Sequence, residues 1–234
     1  MTINTTTNIA LLSTADMRAL TSGEISGLTT SQASKLTAVQ LDALTSSQIQ
    51  TLETADIAVI SPTVLNSAST ATLAALTGDQ VIALTTGQVS SMSAVKLNSL
   101  TEFSKLQTAD IAAISGSNFS GLTTAQLVNL TTTQAGALTA AQVSTLTAAK
   151  IAALEAEDFA KLSTAVIRSL SNTQLAALTT AQAAQLSVSQ AGALFASQLS
   201  GMETADLAAM AAGTQTSLTN TQLAGLSAAQ TAAL

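Results

Sequence analysis

The residues with chemistry to offer in this 234-residue chain are its carboxylates, and they recur in one phrase. Glu53-Thr54-Ala55-Asp56-Ile57 returns as Gln107-Thr108-Ala109-Asp110-Ile111, as Glu155-Ala156-Glu157-Asp158-Phe159 and as Glu203-Thr204-Ala205-Asp206-Leu207, the last three spaced by 48. If blocks of that length stack in register, Asp110, Asp158 and Asp206 form a row with Glu155, Glu157 and Glu203 beside it, hard oxygen ligands of the kind Ca²⁺ takes. The simpler reading puts each Asp at the third position of a helix, where the dipole favours negative charge. Hydroxyls are the other candidate. Thr85-Thr86, Thr123-Thr124, Thr131-Thr132 and Thr179-Thr180 would make a hydroxyl-and-methyl array of the kind ice-binding proteins present, but capping claims one hydroxyl of each pair.

Other chemistry is sparse. The chain has no His and no Cys, which removes the commonest general base, metal ligand and strong nucleophile together. Lys35, Lys96, Lys105, Lys150 and Lys161 stand in separate segments, and no phosphate-binding, dinucleotide, nucleophile-elbow or EF-hand motif is present. The expectation is a protein without catalytic residues and without a cofactor.

A repeat positions these residues. Apolar residues fall every eight positions from Leu12 to Leu100 and again from Leu106 to Leu234, and a six-residue unit, 100–105, breaks the phase. We therefore expect one repeat domain over 1–234, in blocks 4–99 and 106–234. The unit reads Leu-Thr-x-x-Gln-(Ile/Val/Leu)-x-x. Thr or Ser followed three residues later by Gln is a capping box, so Thr123 with Gln126, Thr139 with Gln142, Thr179 with Gln182 and Thr219 with Gln222 are predicted to close helix N-termini. The first and sixth positions are the two ends of a hydrophobic staple. Gly27, Gly121, Gly201 and Gly225 fall near unit ends, where a left-handed glycine would stop a helix. Pro62 falls at a first helical position, where its missing N–H costs nothing. Phe119 and Phe159 are expected in the core, while Phe195, in a capping place, and Phe103, in the break, mark irregularities.

The predicted fold class is all-α, a solenoid of short capped helices with one helix per octad. Helices of this length do not survive alone, so stacking must hold them. One long helix fails on geometry: eight residues advance about 800°, and the Leu positions drift by about 80° per unit. A β-solenoid is the stronger rival, because Thr and Val favour strands. Against it stand the abundant Ala at the last two positions and a reciprocal cap that serves no purpose in a strand. The 48-residue period spans six octads, so the spacing allows two or three helices per coil.

Composition bounds the partners. Hydrophobic residues make up 47% and aromatics only 2%, so the core is built from Leu, Ile, Val and Ala. Charged residues are 9%, about a third of the usual share. Thirteen acidic against seven basic residues give a net charge of −6, which repels nucleic acid and anionic lipid. No run of 18 apolar residues predicts a membrane span, and the first sixteen residues lack the pattern of a Sec-type signal peptide. Polar capping repeats are not visible at Asn4 or at Leu234, and we expect the two ends to dock head to tail on further copies of the chain.

Tandem Leu-Thr-x-x-Gln-(Ile/Val) arrays of this kind resemble the repeat regions of large bacterial secreted and surface proteins, adhesin-like or matrix-like. The resemblance extends over almost the whole chain. It implies an extracellular or cell-surface place and a structural, self-assembling role in a filament, surface layer or biofilm matrix. A monomeric scaffold that binds a protein or glycan and an ice-binding protein are the alternative functions.

Overall fold

The computed structural model describes residues 3–234, and among them it is all-helical, with 27 α-helices of four to six residues, two 3₁₀ turns and no strand. The helices follow the octads one for one, and the β-solenoid alternative is excluded. Contacts divide the chain into two compact units, Met1–Ile114 and Ser115–Leu234.

In the first unit each helix packs on the third one after it. Thr14–Ala19, Ala38–Ala43, Pro62–Ser67, Thr86–Ser91 and Thr108–Ala113 form one column, and Ser22–Ser26, Ser46–Gln50, Thr70–Ala74 and Ala94–Ser99 form the second. The third runs Thr30–Ala33, Thr54–Val59, Gly78–Ile82 and then the 3₁₀ turn Phe103–Lys105. Three octads therefore make one coil, and the 48-residue period is two coils. The six-residue unit interrupts the spacing of the leucines but not the architecture, because its 3₁₀ turn fills a helix place and buries Phe103.

The second unit follows the same rule. Its columns include Gly116–Ser120, Ala140–Val143, Thr164–Ser169 and Val188–Ala193; Ala148–Ala152, Asn172–Leu175, Ala196–Leu199 and Asn220–Leu223; and Thr132–Gly136, Ala156–Ala160, Thr180–Ala184, Thr204–Ala209 and Ala228–Ala232. The core of each unit is the paired first and sixth positions of the octad, nearly all buried, with Phe119 and Phe159 fully inside.

The corner between helices is made of two extended residues. Leu20 (φ −64°, ψ 135°) ends one helix and Thr21 (φ −74°, ψ 159°) starts the next, and that pair of conformations recurs along the chain. The expected left-handed glycine stops are absent: no described residue has positive φ, and Gly27 and Gly121 sit at φ −89° and −82°. With the Leu and Thr backbones making the turn, glycine serves close approach instead. A Cβ on Gly225 would lie 2.9 Å from the Cβ of Ala196. Pro62 occupies the first position of its helix. Phe195 stands in a capping place, half exposed, with the Arg168 guanidinium 4.2 Å from its ring centre.

Since the helices have no stability of their own, core truncation is expected to be costly. Phe159→Ala should lower unfolding stability by about 3–5 kcal/mol, and Phe195→Ala by about 1 kcal/mol or less, as read from chemical denaturation.

Candidate functional site

The corners are where the polar chemistry of the chain converges. At Thr179 the hydroxyl accepts the backbone N–H of Gln182 at 3.2 Å, and Gln182 Oε1 accepts the N–H of Thr179 at 3.0 Å. The same reciprocal box closes at Thr123 with Gln126, at Thr139 with Gln142 and at Thr219 with Gln222. These bonds occupy only one end of the amide. The other end, Nε2, donates to the coil beneath: Gln182 to Ile151 O and Leu154 O, both at 2.8 Å, and Gln222 to Ala191 O at 3.0 Å and Leu194 O at 2.9 Å. Gln40, Gln80, Gln88 and Gln174 repeat the pattern, reaching 28 and 31 residues back along the chain. Each of these glutamines is buried. One side chain thus caps the start of its own helix and occupies the exposed carbonyls at the corner below.

Capping reasoning finds the first half of this arrangement and misses the second. The signal for it is the choice of amide: a capping box accepts Glu as readily as Gln, yet only Gln carries an N–H to give downward. Where the unit departs from Gln, a donor is often kept. Thr214 Oγ1 donates to Leu186 O at 3.0 Å, and Lys96 Nζ donates to Ala68 O. Thr72 turns to Asp42 Oδ1 at 2.6 Å, and beside it lies a small cavity lined also by Leu44 and Ser69.

The carboxylates of the recurrent phrase do not form a metal-binding row. In the second unit the helices of Asp158 and Asp206 both pack on Thr180–Ala184, so a coil carrying Gln182 lies between them. Asp110 belongs to the first unit and accepts the Thr86 hydroxyl at 2.8 Å and the Gln107 N–H at 3.2 Å. Among the described residues no group of three or more His, Asp or Glu is placed to hold a metal. Asp56, Asp158 and Asp206 are instead buried one by one at corner positions, each with Oδ2 lacking a hydrogen-bond partner. Burial pushes Asp56 up to about 6, with Glu53 adding to the effect, and pushes Asp158 up to about 6, with Glu155 and Glu157 adding. Asp206 is raised by burial and by Glu203. In the first coil, Asp16 and Glu24 take the same helical place on the surface. Asp16 is held below its ordinary value by the hydroxyl and N–H of Ser13, and Glu24 by the N–H and hydroxyl of Thr21.

The residues expected at assembly ends are occupied locally. Asn4 Oδ1 accepts from the N–H of Thr6 and the hydroxyls of Thr6 and Thr7, while Asn4 O takes Gln32 Nε2 at 2.8 Å. Leu234 is half-buried and lines a shallow groove with Gln215, Thr216, Leu223 and Thr231. Thr86, Thr124, Thr132 and Thr180, the second residues of the Thr pairs, are exposed, although the Thr86 hydroxyl is given to Asp110.

Residues 151–188 match the ALTTAQ repeat family, and that segment contains Ala177-Leu178-Thr179-Thr180-Ala181-Gln182 itself. No curated protein matches the chain. Fold, corner chemistry and the matched segment together define a helical repeat protein.

Removing the amide at one corner leaves the Leu154 carbonyl and the Thr179 N–H without partners, while Ile151 O keeps the N–H of Leu154. Gln182→Ala is expected to cost about 2–4 kcal/mol, and the neighbouring exposed Thr180→Ala about 0.5 kcal/mol or less, by urea titration of the full chain. Excess Ca²⁺, or a chelator, is expected to leave the thermal midpoint unchanged in differential scanning calorimetry. A calcium-dependent rise would restore the acidic-row reading.

Proposed function

We propose that the protein is a structural repeat scaffold with no catalytic activity, a spacer in extracellular or cell-surface attachment or matrix material, and that copies associate into a filament or surface layer. The observation that carries the reading is the address of the stacking bonds. The glutamine amide binds backbone carbonyls, which every octad offers, so coils add to coils without any particular side chain being required on the receiving face. Stability of such an array accumulates repeat by repeat from nearest-neighbour terms, which suits an element whose task is length. The surface supports the same reading: it offers hydroxyls, amides and methyl groups, and has no Tyr or Trp to serve as a binding hot spot. The absence of cysteine makes the chain indifferent to an oxidising exterior.

Head-to-tail joining is the form of self-association we propose. The joint would rest on apolar contact at Leu223 and Leu234, because Asp16 and Glu24 in the first coil bring no N–H to corner carbonyls at neutral pH.

Negative-stain electron microscopy with light scattering over a concentration series tests this. Fibres or ordered layers growing with concentration are expected. A monomer at every concentration would contradict self-association, and thermal hysteresis or retention on a glycan or protein array would shift the function to one of the binding readings.

A further inference from the structure

Three corners of the solenoid hold two buried acceptors and no donor. The carboxyl groups of Asp56, Asp158 and Asp206 belong to residues at most 2% exposed, and Oδ2 of each has no partner. The corner glutamines donate to a carbonyl 28 residues back, and the same step from these three aspartates leads to Leu28, Leu130 and Leu178. Among the described residues none of those three carbonyls receives an N–H or O–H. Two unpartnered acceptors buried at one corner are costly, and an ionised carboxylate makes the fault worse, whereas a protonated one supplies the missing donor. Asp is one methylene shorter than Gln, so its O–H needs either a closer approach of the two coils or one bridging water to meet that carbonyl. The Thr72 corner, where another short side chain replaces Gln, shows such a space in its cavity of about 70 Å³.

We infer that Asp56, Asp158 and Asp206 are held as neutral carboxylic acids whose O–H takes the place of the glutamine amide, making three proton-binding sites that tighten the coils in acid. The electrostatic setting agrees. Asp56 faces Glu53 at the N-cap of its own helix, and of the helices packed against it Thr30–Ala33 carries no charge and Gly78–Ile82 carries Asp79. Asp158 faces Glu155 and Glu157, with Lys161 at the end of its helix, and Asp206 faces Glu203. Their neighbours Thr132–Gly136, Thr180–Ala184 and Ala228–Ala232 carry no titratable residue. Asp110 shows the alternative solution, since the Thr86 hydroxyl from the coil beneath donates to it. Thr30, Thr132 and Thr180 hold the corresponding first helical position beneath the three buried aspartates, but their hydroxyls make no such bond.

The sign of the pH effect follows from a folded-state affinity for protons above the unfolded value of 3.8. The stabilisation is complete below pH 4 and is lost as pH rises through about 6. At Asp56 and Asp158 the loss amounts to as much as about a hundred-fold each in the folding equilibrium. The inference concerns the coils within one chain and does not depend on the proposed function.

Carboxyl ¹³C NMR of the full chain reads the sites directly. Asp56 and Asp158 are expected to titrate near pH 6, and Asp206 above the ordinary Asp range. Titration of all three at or below that range would overturn the inference. In thermal melts the midpoint is expected to fall between pH 4 and pH 7, and the triple variant D56N/D158N/D206N to lose that fall. Persistence of the fall in the triple variant would contradict it. T30V/T132V/T180V is expected to melt as the wild type does at neutral pH. A marked loss there would show ionised carboxylates bound to those hydroxyls and would also overturn the proposal.

Discussion

One side chain holds the structure together in two directions. A helix of four to six residues has nearly all of its N–H groups and carbonyls in its first and last turns, where no internal partner exists. Where a unit carries glutamine at its fifth position, that side chain meets both demands, since its oxygen takes an N–H at the start of its own helix and its nitrogen gives to carbonyls at the corner one coil below. Horizontal and vertical order are thereby a single interaction. A coil cannot lose contact with its neighbour without exposing the ends of its helices, which couples local structure to stacking more tightly than apolar packing alone would do.

This division of labour explains the composition. Leu and the sixth-position aliphatics fill a narrow interior in which there is little space for aromatic rings, and only Phe103, Phe119 and Phe159 are inside. Charge is scarce because a formal charge at a corner has no counter-ion in the coil beneath, only carbonyl dipoles. Lysine is accepted there, as at Lys96, because it can donate to a carbonyl. Aspartate is accepted only with a hydroxyl from below, as at Asp110, or by being buried with an unpartnered oxygen. The scaffold role we propose rests on the same economy, a stacking rule that any octad can satisfy.

Much of the fold can be read from the octad. The spacing of Thr and Gln marks the helix starts, the first and sixth positions mark the core, and the phase break at 100–105 is visible in the leucines. Three features are hidden for physical reasons. The number of helices per coil is set by how corners close in space, and a 48-residue period divides by two and by three alike. The glycines suggest left-handed stops because that is their usual use at helix ends, but the extended Leu-Thr pair already turns the chain, so Gly225 answers a contact with Ala196 that only the folded coil creates. The acidic phrase reads as a ligand row because equal spacing resembles alignment, whereas in the second unit the coil of Gln182 separates Asp158 from Asp206. The downward bond of the glutamine was open to inference from the preference for Gln over Glu, which the capping box alone leaves unexplained.

The direct test of the two-way glutamine is the behaviour of its side-chain amide protons. In ¹⁵N-resolved NMR, the Nε2 protons of Gln174, Gln182 and Gln222 are expected to exchange slowly with solvent and to show cross-relaxation to the segments around Leu146, Leu154 and Leu194, 28 residues earlier. The exposed Gln50 and Gln185 serve as fast-exchanging controls in the same spectrum. If all these amides exchange alike, or if the contacts fall at a two-octad distance, the clamp is not what holds the coils.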